Sequence, residues 1–144
     1  FARIAPHLEL DAYFNFEVDD SGEGLRLRAC AGIPEEEVAS ISRLRFGQAV
    51  CGKVAQRRQP IIATYVQQSD DPMVRAIRKF GIRTYACNPL MIDGRLIGTL
   101  SFASRRRDSF EADELEFIEI VCSYVTMAYE RVNLIGQLRE TDRR

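Results

Sequence analysis

Apolar and polar positions alternate most clearly between Arg83 and Arg105. Arg83 to Ile92 is rich in apolar and aromatic residues, which predicts a strand. Asp93-Gly94 then predicts a two-residue hairpin turn, since both positions must tolerate positive φ. Arg95 to Ser104 runs back as a second strand, with Leu96, Gly98, Leu100 and Phe102 against Ile97, Thr99, Ser101 and Ala103. Pro89 has no N–H to give a ladder, so it marks an edge, a bulge or a position whose donor is not needed.

The same two-residue period appears earlier. In Leu8 to Val18, Leu10, Ala12, Phe14 and Phe16 alternate with Asp11, Tyr13, Asn15 and Glu17. A turn at Asp19 to Gly24 leads to a second strand, Leu25 to Ile33, completing an N-terminal hairpin. Phe1 to Ala5 reads as the tail of a truncated helix, with residues 1–7 as its end.

Helical spacing fills the remainder. Pro34 and Glu35 to Glu37 open a short helix, because proline fits the first turn and carboxylates complement the helix dipole there. Arg43 to Phe46 reads as a connector. Ala49 to Arg58 predicts a second helix, and Pro60 to Val66 a short strand. Ser69-Asp70-Asp71-Pro72 supplies a cap and a first-turn proline for a helix over Met73 to Phe80, which Gly81 ends. The longest periodic run extends from Phe110 to about Thr141. Its residues Ile118, Val121, Val125, Ala128, Val132 and Ile135 recur at alternating steps of three and four, a heptad-like seam. Thirty helical residues span about 45 Å, more than one small sheet needs. Residues 133–144, with Leu134 and Leu138, are therefore expected to start a projecting linker helix. The order β-β-α-α-β-α-β-β-α describes an antiparallel sheet with helices segregated to its faces, an α+β fold.

Composition adds limits. The chain has 144 residues, 46% apolar and 28% charged, with a net charge of −1. That suits one domain, residues 1–144, and gives no electrostatic case for nucleic acid or an anionic membrane as partner. No run approaches the ~20 apolar residues of a membrane span. Four cysteines (Cys30, Cys51, Cys87 and Cys122) lie in apolar segments without C-x-x-C spacing, and His7 is the sole histidine. This reads as reduced buried thiols in a cytoplasmic domain, with no metal cluster.

In order along the chain, Leu25 to Ile33 (LRLRACAGI), Phe46 to Val54 (FGQAVCGKV), Pro60 to Tyr65, and Asn88-Pro89-Leu90 with Gly94 to Leu100 (GRLIGTL), Phe110 and Glu114-Leu115 resemble a GAF domain. The match runs from Leu10 to about Arg131. Tyr65 stands where the family often carries an aspartate. The pattern from Ser69 to Cys87, with Arg106 to Phe110, is most similar to GAF domains of bacterial sensor histidine kinases. The resemblance implies a GAF/PAS-like antiparallel sheet of five to six strands, helices on both faces and a long C-terminal helix. It also implies a sensory domain of a two-component system that binds an unknown small molecule and signals to a kinase or other sensor domain in cis. The domain would act as a homodimer through its terminal helices, with Ile118, Val121, Val125, Ala128, Val132 and Ile135 as the relay seam.

In the family the ligand lies between one sheet face and a capping segment, here about Phe46 to Tyr85. That placement implies Phe46, Cys51, Tyr65, Met73, Ile77, Phe80, Tyr85, Cys87, Asn88, Pro89 and Ser101 as ligand-binding candidates. Tyr65, Asn88 and Ser101 stand out, because a polar tip in an apolar wall either finds a protein partner or reads a ligand. No haem, bilin or metal is expected: neither Cys51 nor Cys87 has a neighbouring histidine. No catalytic residue is expected in this segment, and no phosphate-cradling or kinase motif is present. One alternative is a ligand-free dimerisation and relay module. A weaker one is an enzyme similar to free methionine-R-sulfoxide reductase, for which Cys51 lies in a matching motif. The loop at Asp70 to Ala76, where that group carries its catalytic cysteine, has none here.

Overall fold

The computed structural model describes residues 8–142, with side chains through residue 136 other than that of Asn133. The expected helix tail at 1–7, including His7, lies outside the described residues, as does the side chain of Leu138. Six strands form one sheet: β1 (Ala12–Val18), β2 (Gly24–Ala31), β3 (Arg43–Arg45), β4 (Ile61–Ala63), β5 (Thr84–Ile92) and β6 (Arg95–Ser104). Their order is β3-β2-β1-β6-β5-β4, and every neighbouring pair is antiparallel. The helices are α1 (Glu35–Val38), α2 (Ala49–Arg57), α3 (Arg75–Lys79) and α4 (Ala112–Asp142).

The central hairpin forms as its pattern predicts. Asp93 and Gly94 sit at φ 50° and 77°, the left-handed pair that matches the twist of β5 and β6. Pro89 stands beyond the last residue that β4 pairs, because Ile61–Ala63 opposes only Cys87 to Tyr85. Its missing N–H therefore costs the sheet nothing on that side.

Four boundaries differ from the pattern. Arg43 to Arg45 is not a connector: it pairs with Gly24 to Arg26 as an edge strand, too short for a periodicity to register. β1 starts at Ala12 rather than Leu8. β4 stops at Ala63, where a turn leads to a 3₁₀ segment at Val66–Gln68. The helix over 73–80 begins as a 3₁₀ turn, Pro72–Val74, whose first amide is capped by Asp71: Met73 N donates to Asp71 Oδ1 at 2.9 Å.

Period-two alternation gives the sheet two apolar faces. Phe14, Phe16, Tyr85, Cys87 and Ala103 meet Val50, Cys51, Val54 and Ile77 of the α2–α3 layer. Ala86, Leu90, Leu100 and Phe102 meet Ile118 and Cys122 of α4 on the other side. β5 and β6 thus contribute to both cores. Among the described residues no helix is long and apolar enough to cross a membrane.

Arg105 to Arg107, which follow β6, are a structural knot. Arg105 donates to the carbonyls of Phe80 (2.8 Å) and Gly32 (2.7 Å), Arg106 pairs with Asp11, and Arg107 pairs with Glu114. Arg83 makes a two-pronged pair with Asp108 at 2.9 and 2.8 Å. Glu114 also accepts the Glu111 amide at 2.7 Å, so it caps the start of α4 as well as pairing. The Arg107 hydrogen bonds hold the Glu114 carboxyl below its usual 4.5. A depressed carboxyl contributes stability above its unfolded value and loses it as pH falls through the folded one. Glu114→Gln is therefore expected to cost about 1–2 kcal/mol at pH 7. The cost should shrink as pH falls below about 4.5. Urea unfolding of both proteins at the two ends of that range checks it.

Candidate functional site

The layer of α2 and α3 covers the β1-β6-β5 face as a cap. Beneath it lies a polar cluster in an otherwise apolar interface. α2 brings Cys51 in its first turn, β5 brings Tyr85 and Cys87, and β6 brings Thr99 and Ser101. The Tyr85 hydroxyl lies 2.6 Å from Ser101 Oγ and 3.0 Å from Cys51 Sγ. Ser101 Oγ is 3.5 Å from Cys51 Sγ and donates to the Phe14 carbonyl at 3.3 Å. The Cys87 thiol donates to Cys51 Sγ at 3.6 Å. Thr99 Oγ1 is buried with no hydrogen-bond partner.

Polar side chains converge on one sulfur. The hydrogen bond from Cys87, then the contacts with Tyr85 and Ser101, hold the Cys51 thiol down to about 7 against the opposing effect of burial. Burial drives Cys87 and Tyr85 the other way, well above their ordinary values, and a charged Cys51 nearby reinforces both. On the opposite sheet face, burial pushes Cys122 up to about 12. Cys51 is therefore the sulfur in this cluster that ionises first.

Beside the cluster is a cavity of about 40 Å³, lined in part by Cys51, Tyr85, Phe14, Phe16, Ile77 and Phe80. That is room for one water-sized molecule, whose share of liquid volume is about 30 Å³. The cap is closed on the sheet.

The sequence candidates divide. Cys51, Ile77, Phe80 and Tyr85 line the cavity, and Cys87 and Ser101 complete the polar cluster. Met73 packs on the same core from its rim. Four others lie elsewhere. Tyr65 is 56% exposed: with β4 ended, the chain turns at φ 49° and points the ring outward while its amide donates to the Asp108 carbonyl. Phe46 packs on the core but opens onto an outer groove beside Arg43 and Gln48. Asn88 shares the α4 side with Ala86 and Leu90 and meets Glu119, Cys122 and Thr126 across a groove that Pro89 also borders at the sheet edge. Thr99 was absent from the candidates. Its place two residues before Ser101 on one strand face was the available signal.

α4 divides in the same way. Ile118 is 0% exposed against the sheet, and Val121 and Val125 pack beside it, which withdraws the first half of the expected seam into the domain's own core. Ala128, Val132 and Ile135 are exposed. A neighbouring stripe at steps of three and four, Phe117, Ile120, Tyr124 and Met127, also faces outward, followed by Leu134. Where α4 runs past the sheet, Arg28 stacks over the Tyr129 ring at 4.6 Å and Asn15 Nδ2 donates to the Tyr129 hydroxyl at 3.3 Å. These border a groove of about 690 Å³ that sequence reasoning did not foresee. Among the described residues no three His, Cys, Asp or Glu side chains gather as a metal site.

A family model described as GAF domain matches residues 4–130. No curated protein matches the chain. Solved structures do. The GAF domain of a phosphoenolpyruvate-protein phosphotransferase from Coxiella burnetii is 22% identical, over 94% of this chain and 80% of that one, with a TM-score of 0.76. A domain described as part of a two-component sensor histidine kinase from Sinorhizobium meliloti 1021 is 19% identical, over 96% and 91%, with a TM-score of 0.76. Free methionine-R-sulfoxide reductase from Neisseria meningitidis, solved in complex with its substrate, is 20% identical, over 90% and 72%, with a TM-score of 0.72. At these identities the likeness is one of fold.

Proposed function

The chain belongs to the GAF domain family, and on that premise we propose that it is the sensory module of a signalling protein, with the cap-covered face of its sheet as the input site. A small molecule there favours one position of the α2–α3 cap. The change reaches α4, which pairs with its copy in a homodimer and passes the signal to a kinase or other module in cis. The cytoplasm is the proposed location, and the segment itself carries no catalysis.

One observation carries this reading. Strand β5 places Tyr85 and Cys87 under the cap and Ala86 and Leu90 under α4, so input and output are separated by the thickness of one strand. A shift of the cap that moves β5 moves the seat of α4, since packed cores do not deform continuously. The 40 Å³ cavity describes the closed state. A ligand larger than water needs an open one, and shifts the balance only by its differential affinity for the two. The outward stripe of α4 supplies a heptad-spaced surface for the dimer. A second reading, a ligand-free relay module, draws on the same small cavity, which Ile77 and Phe80 help to line.

Native mass spectrometry of the purified domain, with denaturing analysis of anything bound, tests both. A dimer carrying a defined small molecule is the expected result. An empty dimer favours the relay module, and an empty monomer removes the relay. Ile120→Asp, on the outward stripe, is expected to convert the dimer to monomer in the same measurement.

A further inference from the structure

Two of the four cysteines face each other beneath the cap, 3.6 Å apart, from elements 36 positions apart in sequence. A disulfide needs its sulfurs at about 2.05 Å. The pair is thus within a small side-chain adjustment of bonding. The other two cysteines have no such neighbour: Cys30 is on β2, and Cys122 packs on the far face of the sheet.

We propose that Cys51 and Cys87 are a reversible dithiol–disulfide switch, oxidised by hydrogen peroxide or a hydroperoxide of similar size, that locks the cap onto the sheet. Cys51 is the attacking sulfur. It sits in the first turn of α2, where the helix dipole favours a thiolate, the Cys87 thiol donates to it, and the Tyr85 and Ser101 hydroxyls lie 3.0 and 3.5 Å away. The cavity beside it, about 40 Å³ in the closed state, leaves no room for bulky oxidants, and hydrogen peroxide, only slightly larger than water, reaches Cys51 with a slight loosening of the cap.

The chemistry balances. The Cys51 thiolate attacks one peroxide oxygen, the O–O bond breaks, and the departing oxygen takes a proton to leave as water. Cys51 is then a sulfenic acid. The Cys87 sulfur attacks the Cys51 sulfur, the S–S bond forms, the S–O bond breaks, and hydroxide leaves with the Cys87 proton as a second water. Two thiols have lost two electrons and the peroxide has gained them. A dithiol reductant reverses the bond by thiol–disulfide exchange.

The consequence is mechanical. The new bond closes the chain from 51 to 87, which holds the rest of α2, β4, α3 and the start of β5. A cap that must lift to admit a ligand is then fastened at its first turn. This goes beyond the ligand-sensing reading, and the thiol count changes whether or not the cavity takes a ligand.

The test treats the folded domain with hydrogen peroxide, alkylates all free thiols in urea and measures the intact mass. Two alkyl groups instead of four are expected, with one cross-linked peptide pair joining Cys51 to Cys87. A dithiol should restore four. Cys51→Ser and Cys87→Ser should each abolish the cross-link, and the double variant Cys30→Ser with Cys122→Ser should keep it. Hydrogen exchange in α2 and α3 should slow on oxidation. Four alkyl groups after peroxide, a cross-link through Cys30 or Cys122, or a bond formed only in urea overturns the switch. Unchanged exchange in α2 and α3 overturns the lock. The wild-type mass and peptide map decide the chemistry even if a serine variant fails to fold.

Discussion

Ile118→Asp is expected to unfold at far lower urea than the parent, while Ile120→Asp, two residues along the same helix, leaves the fold intact. Ile118 is 0% exposed and lies in the core that α4 shares with Leu90, Leu100 and Phe102. An aspartate there loses the apolar contact of the isoleucine and brings a carboxylate into a layer that offers it no cation. Burial of an unpaired charge costs several kcal/mol even after the group protonates. The net cost should reach about 4–5 kcal/mol or more, against a whole-domain stability of about 5–15 kcal/mol. Ile120 is 47% exposed. Compared monomer with monomer, at protein concentrations too low for the dimer, its substitution should stay within about 0.5 kcal/mol as a surface change. Far-ultraviolet circular dichroism against urea separates the two. The contrast also locates the output surface: if Ile120→Asp abolishes the dimer and spares the fold while Ile118→Asp weakens the fold, the outward stripe is the mating face.

Those two positions, 118 and 120, show why part of the molecule was legible and part was not. Steps of three and four recur in α4 both from Ile118 and from Phe117. Periodicity alone finds a helix with a wide apolar surface, and the choice of inner stripe belongs to packing against β5 and β6. The hairpin was legible because Asp93-Gly94 encodes its geometry locally. Strand β3 was not, because three residues hold less than two periods and their pairing with β2 is tertiary. Tyr65 was a candidate because the resemblance sets it in the capping segment, but the strand before it ends at Ala63 and the chain turns its ring outward. Asn88 could have been placed. It shares parity with Ala86 and Leu90, so alternation alone puts it on the α4 side, opposite Tyr85 and Cys87. The Cys51–Cys87 pair lay beyond the sequence, since nothing local joins the first turn of α2 to the middle of β5.

Gly98→Val is expected to produce the other large effect, and to do so by dividing the sheet. Gly98 lies opposite Glu17 where β6 pairs with β1. A Cβ at this position would collide with the Phe16 carbonyl oxygen and approach Glu17 Cα to 3.1 Å. Both obstacles are backbone, so no rotamer change relieves them. Relief requires β1 to move away from β6. That pairing is the single join between the N-terminal unit β3-β2-β1 and the unit β6-β5-β4. The cap-side core spans the join, with Phe14 and Phe16 on one side and Tyr85, Cys87 and Ala103 on the other. Opening it would both break ladder hydrogen bonds and loosen that core. The cost should lie at or above the top of the ~1–3 kcal/mol usual for overpacking. Gly98→Ala, with the same Cβ and no branch, should give most of the loss, because the collision is already complete at the first carbon. Thermal unfolding of both variants checks this. A Gly98→Ala protein as stable as the parent would mean that the two half-sheets can slide apart freely. In that case a movement of β5 under the cap would be absorbed at the join rather than delivered to α4.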